Sequence, residues 1–219
     1  MSDPSTTASG QSNQYLQRAY KLKDADEARD LYDEWATSYD HDLRASDYES
    51  PQRTVDAVVA NISDIAGTIK ILDAGCGTGL VGECFASSKL AGRCTVDGKD
   101  LSNSMVEVAR AKGVYRDLEV ANLNERLNHA DGSYHVVTCT GTLTKGHVGA
   151  TVFKEFARVT SMGGIIVATV HDEIFESNGY QSEVKSLAAR NVMEIVSTDD
   201  FGIVKGQTKG GRMVVLRKL

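Results

Sequence analysis

The chain of 219 residues has few prolines and cysteines and no long apolar segment. Its two prolines, Pro4 and Pro51, form no proline-rich linker, and its longest apolar run, residues 165–170, is far shorter than the roughly 20 residues that cross a bilayer. The four cysteines form no CxxC pair and show no ligand-like spacing with the five histidines. This pattern argues against structural zinc and against a secreted disulfide scaffold, so we expect reduced thiols and no metal site.

The charge balance argues against large anionic partners. Lysine and arginine number 24 against 30 acidic residues, a net charge of −6, so there is no global positive field to attract nucleic acid or an anionic membrane. Residues 1–14 are polar and lack an apolar core, which predicts a disordered N-terminal tail rather than a signal peptide. We therefore expect a cytoplasmic protein with a single domain over residues 15–219.

Two helices are predicted at the start of this domain. From Asp24 onward, acidic residues that favour a helix N-terminus precede an apolar stripe at helical spacing. The stripe consists of Ala28, Leu31, Tyr32, Trp35 and Tyr39. Ser50 and Pro51 are typical of an N-cap and a first helical turn, and the second helix should end near Gly67.

Beyond residue 67, short apolar runs alternate with helical segments. Strands are predicted at residues 68–72, 94–98, 115–120, 134–140, 165–170, 192–197 and 213–217, and helices at 80–89, 103–112, 151–160 and 183–190. Repeated βα units predict an α/β fold, with a mostly parallel sheet and helices on both faces. The last two strands are separated only by a glycine-containing turn region, which predicts a terminal antiparallel hairpin.

A glycine loop follows the first predicted strand in the sequence ILDAGCGTG, residues 71–79. Alternate glycines let the backbone turn sharply and approach a ligand closely. The dinucleotide fingerprint GxGxxG would need glycine at the position of Leu80, so NAD and FAD are disfavoured. Instead, Asp73 precedes the loop, and Asp100 ends the next strand, where it can accept hydrogen bonds from ribose hydroxyls.

Four segments carry a family resemblance: LDAGCGTGLVGE at 72–83, VDGKDLSNSM at 96–105, YDEWATSYDHDL at 32–43 and VVTCTGTLTKGHVG at 136–149. With them the chain resembles the class I S-adenosyl-L-methionine (SAM) dependent methyltransferases. It resembles more closely the small methyltransferase-like proteins of the Williams-Beuren syndrome region type. The resemblance implies a Rossmann-like class I methyltransferase fold, with a mostly parallel seven-stranded sheet whose last strand is antiparallel. It also implies SAM as cofactor and S-adenosyl-L-homocysteine as product.

The resemblance further implies which residues bind the cofactor. These are Tyr32, Trp35, Tyr39, Asp73, Gly75, Cys76, Gly77, Gly79, Asp100, Leu101, Met105, Asn122, Leu123 and Thr140. Asp73 and the glycine loop would lie near the methionine amino group, Asp100 on the ribose, and Leu101 and Met105 beside the adenine. The aromatic residues would make residues 15–66 an N-terminal helical lid. The alternative is that the first helix simply faces the core.

The sequence departs from the family pattern at Asn122 and His171 and, away from the expected ligand edge, at His135 and Met162. Asn122 stands where an aspartate usually accepts a hydrogen bond from the adenine amino group, and the neutral amide would weaken that hydrogen bond. Lys99 interrupts an apolar strand, and we expect it at an exposed strand end. His171 replaces the more usual arginine.

Candidate proton acceptors follow the fourth and fifth strands. His147 and His171 both come at the expected ligand edge, where an imidazole can serve as a catalytic base; the alternative is a structural or solvated histidine. The first functional hypothesis is SAM-dependent methylation of an O, N or S atom of a small molecule. The second is another reaction in the same cleft, such as a cyclisation, and the third is binding without catalysis. The acceptor and the oligomeric state stay open.

Overall fold

Strands from the whole length of the domain form one seven-stranded sheet in the computed structural model, which describes residues 14–62 and 65–219. The strands are β1 Ile69–Ala74, β2 Cys94–Asp100, β3 Asp117–Val120, β4 Tyr134–Leu143, β5 Thr160–His171, β6 Met193–Gly202 and β7 Gly210–Lys218. Their order is β3-β2-β1-β4-β5-β7-β6. β7 runs antiparallel to β5 and β6, and the other pairs are parallel. The predicted α/β fold with a mostly parallel sheet and an antiparallel last strand is confirmed.

Helices cover both faces of this sheet. They are α1 Gln14–Ala19, α2 Ala25–Trp35, α3 Tyr39–Ala45, α4 Ser50–Asn61, α5 Leu80–Ala86, α6 Asn103–Ala111, α7 Val152–Val159, α8 Asp172–Phe175 and α9 Tyr180–Ala189. Within the described part of the chain, none of these helices is long and apolar enough to cross a membrane.

The central strands are apolar on both faces because both faces are covered. Side chains alternate, so Ile69 and Ile71 pack with α4 and α5, whereas Leu72 and Ala74 pack in the cluster that contains α7 and α9. Burial of both faces explains why β1 reads as a nearly continuous apolar run rather than a polar alternation.

The first predicted helix is interrupted before Tyr39. Asp24 caps α2 by accepting the backbone N–H of Glu27 at 2.9 Å, in agreement with the acidic start. The helix then ends at Trp35, and Tyr39 begins α3. The Asp42 carboxylate holds this corner by accepting the indole N–H of Trp35 at 2.7 Å and the hydroxyl of Ser38 at 3.1 Å.

The second predicted helix is shorter than expected and is not capped by Ser50. It ends at Asn61, and the Ser50 hydroxyl instead donates to the carbonyl oxygen of Ile203. The preceding segment pairs with the β6–β7 connection, since Glu49 N donates to Ile203 O at 3.1 Å and Tyr48 bridges Val204. This long-range pairing, absent from local sequence signals, sets the start of α4.

Of two further expectations, the first falls largely outside the described residues and the second is wrong. Residues 1–13 of the predicted tail lie outside the described residues, and residue 14 already begins α1. Lys99 is not at an exposed strand end, because its side chain is only 2% exposed and its ammonium pairs with Glu119. Burial lowers the pKa of Lys99.

Candidate functional site

A cavity of about 650 Å³, partly open to solvent, lies where the carboxyl ends of β1, β2 and β4 meet the N-terminal helices. This is the edge at which open α/β sheets bind ligands. Of the residues singled out from the sequence, it is lined by Tyr32, Tyr39, Gly75, Gly77, Asp100, Leu101, Met105, Asn122, Leu123, Thr140 and His147. Trp35, Asp73, Cys76, Gly79 and His171 lie outside this lining.

The glycine loop has two tasks at this edge. Gly75 has a φ of +75°, and a Cβ at this residue would overlap the hydroxyl oxygen of Thr142, so its small size lets β1 approach the end of β4. Gly77 has a φ of +52°, and a Cβ there would meet nothing within 4 Å. Because Gly77 also lines the cavity, the missing side chain leaves space for a ligand against the backbone.

Asp100 presents a hydrogen-bonded carboxylate to the cavity. Its Oδ2 accepts the N–H of Gly77 at 2.8 Å, and its Oδ1 accepts the N–H of Ser102 at 2.9 Å. Burial raises the pKa of Asp100, although these backbone hydrogen bonds act in the opposite direction. Further donors, such as ligand hydroxyls, would stabilise its charged form.

Asp73 lies beneath the glycine loop instead of in the cavity. It is fully buried and accepts the hydroxyls of Tyr115 at 2.7 Å and Thr138 at 2.9 Å. Burial raises the pKa of Asp73 to about 6 despite these hydrogen bonds. The carboxyl therefore links β1 internally to β4 and to the segment before β3, and any effect on a ligand acts through the loop.

Tyr115 is a supporting residue that sequence analysis missed. Its ring fills the space over two glycines, since a Cβ at Gly82 would lie 2.6 Å from the ring and one at Gly79 would lie 2.9 Å from it. Its hydroxyl also accepts the N–H of Gly82 at 3.2 Å. Tyr115 thus holds the start of α5 against Asp73.

The N-terminal helices α1 to α3, which we call the lid, are tied to both ends of α6. At the N-terminal end, Asp33 accepts the Ser102 hydroxyl at 2.5 Å and the Ser104 N–H at 3.0 Å. Burial acts to raise the pKa of Asp33, but these hydrogen bonds outweigh it and the pKa is lowered. At the C-terminal end, Asp40 accepts the Lys112 ammonium at 2.6 Å, and it also accepts the hydroxyl of Thr78 in the glycine loop at 2.5 Å.

The aromatic residues of the lid differ in how they contribute to the cavity. Tyr32 and Tyr39 line the cavity, whereas Trp35 is 1% exposed. The Trp35 ring stacks on Tyr32 at a centroid distance of 6.1 Å and contacts Tyr39 edge-on at 4.6 Å. Trp35 therefore supports the two tyrosines that line this cavity, and it contributes to the wall of the second cavity described below.

His147 is oriented by hydrogen bonds at both ring nitrogens. Its Nδ1 lies 2.9 Å from the carbonyl oxygen of Lys145, which only accepts, so we assign the proton to Nδ1. Its Nε2 then accepts the hydroxyl of Tyr32 at 3.0 Å. Burial lowers the pKa of His147 although the bond to Lys145 opposes this effect, so the ring is neutral at pH 7.

Asn122 lines the cavity in a fixed orientation. Its Oδ1 accepts the N–H of Asn124 at 3.0 Å, and its Nδ2 donates to Glu125 at 3.1 Å. The amide oxygen keeps a second lone pair that can accept a ligand amino group.

A second cavity of about 770 Å³, also partly open, adjoins the first. Tyr32, Tyr39 and Gly141 line both cavities. The second is enclosed by the lid, by the ends of β4 and β5, and by the β6–β7 connection. His171 lies in this cavity, where its ring meets Tyr20 edge-on at a centroid distance of 5.7 Å.

Sequence comparisons agree with this arrangement. Residues 71–164 match the family model described as a methyltransferase domain. Methyltransferase-like protein 27 of Homo sapiens is 32% identical over 155 residues, which are 70% of this chain and 62% of the human protein. The chain thus spans less than two thirds of the length of this curated relative.

Structural comparisons show the fold. The [4+2]-cyclase SpnF superposes with a TM-score of 0.65 at 16% identity, over 90% of this chain and 97% of that one. A chain of the complex between the Haloferax volcanii Trm112 methyltransferase activator and the putative methyltransferase gives 0.63 at 18% identity, over 87% and 96%. A TehB-like SAM-dependent methyltransferase from Corynebacterium glutamicum gives 0.61 at 19% identity, over 87% and 100%. The Rossmann-like methyltransferase fold is confirmed.

Proposed function

We propose that this protein is a SAM-dependent methyltransferase that methylates an oxygen, nitrogen or sulfur atom of a small molecule. The observation that carries the proposal is that Gly77, Asp100 and Met105, from the two successive units β1–α5 and β2–α6, line one cavity at the ligand edge of this fold. The segments lie within the residues that match a methyltransferase domain. The finer assignment to the Williams-Beuren syndrome region type rests on the motifs at 32–43 and 136–149 and on the human relative.

The cavity fits the cofactor chemically. Asp100 offers carboxylate oxygens to ribose hydroxyls. Leu101 and Met105 offer apolar contact to the adenine, and the Asn122 amide oxygen can accept a hydrogen bond from the adenine amino group. The open space at Gly77 admits a ligand close to the backbone. SAM supplies a methyl group bound to a sulfonium, which leaves as a neutral thioether and is therefore an excellent leaving group. The residues of the chain therefore have to bind and align the cofactor and the acceptor and to remove a proton from the acceptor. They do not have to provide a nucleophile.

His147 is the first candidate for accepting that proton. Its unprotonated Nε2 faces the Tyr32 hydroxyl, and Tyr32 lines both cavities. An acceptor hydroxyl in the second cavity can give its proton to Tyr32 Oη while Tyr32 passes its own proton to His147. His171, which lies in the second cavity itself, is the second candidate.

The acceptor is a small molecule in this proposal because the lid covers the edge at which a large substrate would have to enter. Asp33 and Asp40 hold α2 and α3 against α6, so the second cavity is closed on the lid side. The alternative hypothesis is a cyclisation in the same cavities. It shares the fold of SpnF, and fold alone does not determine the reaction.

The test combines cofactor affinity with product detection. Calorimetry should show SAM binding that weakens about thirtyfold in Asp100→Asn, because charge-assisted hydrogen bonds to the ribose are lost. Asp117→Asn, an exposed change in β3, is the matched control. Asp97 is unsuitable as a control because it binds Arg116 and Tyr134.

Labelled SAM incubated with the protein and an extract of its native organism should then yield a labelled small molecule. Unchanged SAM affinity in a folded Asp100→Asn protein would contradict the cofactor site. Turnover of a small molecule without consumption of SAM would favour the cyclisation.

A further inference from the structure

We infer that the second cavity binds an uncharged, flat aromatic molecule, which is the methyl acceptor if the proposed function holds. The inference rests on the proposed function only in identifying this molecule as the methyl acceptor. The binding preference follows from the cavity itself.

The walls of this cavity combine aromatic and aliphatic side chains. Six aromatic side chains line it, namely Tyr20, Tyr32, Trp35, Tyr39, Tyr48 and Phe201. Ring contacts hold Trp35, Tyr32 and Tyr39 in fixed orientations relative to one another before a ligand binds. Aromatic pairs in offset or edge-on geometry are worth about 0.5 to 1.5 kcal/mol beyond the buried area, which favours a planar ring over an aliphatic chain.

Charge is missing from these walls. None of the described residues that line the second cavity is aspartate, glutamate, lysine or arginine. Two charged side chains beside lining residues are already paired: Asp42 accepts the Trp35 indole and the Ser38 hydroxyl, and Arg212, next to Gly211, donates to Asp172 at 2.8 Å. A charged ligand would therefore be desolvated without a counter-charge, which costs far more than burying a neutral ring.

Aromatic walls can also hold a cation, because cation–π contacts attract ammonium groups to tyrosine and tryptophan faces. Here an ammonium group would lose its hydration with no carboxylate among the described lining residues to replace it, so a neutral ring is favoured.

The His171 imidazole is suited to orienting the ligand. Among the described residues, the His171 imidazole has its edge contact with Tyr20 and no hydrogen-bond partner. By contrast, the Thr169 hydroxyl accepts the Gly141 N–H at 2.9 Å, and the Thr144 hydroxyl lies 2.8 Å from His147 Nδ1. The ligand that fits is an aromatic ring system with one hydrogen-bonding group, such as a phenol or a heterocyclic nitrogen.

Three naphthalene probes of equal size test the inference. We expect 2-naphthol to bind in the presence of S-adenosyl-L-homocysteine, and 2-naphthoate and 2-naphthylmethylammonium to bind at least about tenfold more weakly, measured by calorimetry and saturation-transfer NMR. Equal binding of either charged probe, or no binding of the naphthol, would overturn the inference.

A charge placed in the wall locates the binding. Ile203 is half-buried in the second cavity and is absent from the lining of the first. Ile203→Glu should weaken 2-naphthol binding at least about tenfold while the affinity for S-adenosyl-L-homocysteine stays unchanged. Val196→Glu, on the exposed part of β6, is the control and should change neither. Naphthol binding that is indifferent to Ile203→Glu would place the probe elsewhere.

The cofactor measurement separates the two proposals. If the wild type binds 2-naphthol with the stated preference but does not bind S-adenosyl-L-homocysteine, the cavity inference stands and the proposed function fails. If the cofactor product binds and the naphthol does not, the cavity inference alone fails.

Discussion

The absence of a side chain at Gly77 leaves the first cavity accessible to a ligand. The φ of +52° at this residue makes any substitution strained, and a Cβ would point into open space. We expect Gly77→Ala to cost about 1–2 kcal/mol of stability from the left-handed conformation and to weaken SAM binding at least tenfold, or about 1.4 kcal/mol. Thermal unfolding and calorimetry measure the two effects.

Gly113→Ala provides the control for Gly77→Ala. Gly113 has a φ of +67° and also has nothing within 4 Å of a Cβ, but it lies beyond the end of α6 and outside the cavity lining. The two variants should lose similar stability, and only Gly77→Ala should lose affinity. Equal SAM affinity in both folded variants would show that the loop does not approach the cofactor.

Asp73 makes stability depend on pH in an identifiable window. Its pKa is raised from 3.8 to about 6 by burial, so the folded protein binds its proton more tightly than the unfolded chain does. Stability is therefore lost as pH rises from about 4 to about 6, and the cost above this window is about 3 kcal/mol at 1.36 kcal/mol per pKa unit.

The comparison of wild type with Asp73→Asn isolates this contribution. Urea denaturation between pH 4 and 7 should show the wild type losing stability relative to Asp73→Asn as pH increases, because the amide does not titrate. A stability difference that stays constant over this range would mean that folding does not raise the pKa of Asp73.

Individual site residues could be predicted where they follow a strand. Gly75, Gly77 and Asp100 line the cavity as expected, because a short strand, a loop and a helix start are local signals, whereas Gly79 lies outside the lining. Asp73 has the same local signal, but the alternation of side chains along β1 turns it under the loop. Tyr115 and Lys99 were missed or misplaced because their partners, Asp73 and Glu119, are separated from them in the sequence and give no local pattern.

At the scale of elements, the connection between lid and body depends on two carboxylates that look like ordinary solvated helix residues in the sequence. Asp33 and Asp40 bind opposite ends of α6, about 70 residues further along the chain. The mostly parallel sheet and the terminal hairpin could be predicted from alternating runs, whereas the order of the strands was not predicted. The break between α2 and α3 could not, because it depends on Asp42 binding both Trp35 and Ser38.

Removing one of these lid contacts should speed cofactor release. In Asp40→Asn, the ionic bond to Lys112 at 2.6 Å is lost and the short bond from Thr78 is weakened. We expect S-adenosyl-L-homocysteine to dissociate at least about fivefold faster in stopped-flow measurements, since charge-assisted hydrogen bonds are worth roughly 1.5 to 3 kcal/mol.

Asp26→Asn is the matched lid control. Asp26 pairs with Arg29 on the outer face of α2 with 82% of its side chain exposed, and such pairs contribute little. Similar dissociation rates for Asp40→Asn and the wild type would show that the lid opens without breaking the contact at Thr78.

At the scale of the whole molecule, the two ends of the sheet have different tasks. The carboxyl edge gathers the cavities from segments spread over the chain, whereas the opposite side of β2 carries a closed polar network. In that network Asp97 binds Arg116 and accepts the Tyr134 hydroxyl at 2.9 Å, and His129 contacts Tyr134 edge-on at a centroid distance of 5.1 Å. Ligand binding should therefore stabilise one edge of the molecule and leave the other unchanged.

Hydrogen–deuterium exchange can test this division. On addition of S-adenosyl-L-homocysteine, slower exchange is expected in five groups of residues that contribute to the first cavity, at 25–45, 75–79, 100–105, 121–124 and 140–148. Because the lid is bonded to α6, residues 25–45 should be protected together with 100–105 rather than independently. Residues 126–133 and 157–164, which contribute nothing to that lining, serve as the internal reference. Equal protection across both sets would indicate general tightening of the fold, whereas protection of the loop without the lid would show that the lid is not part of the cofactor site.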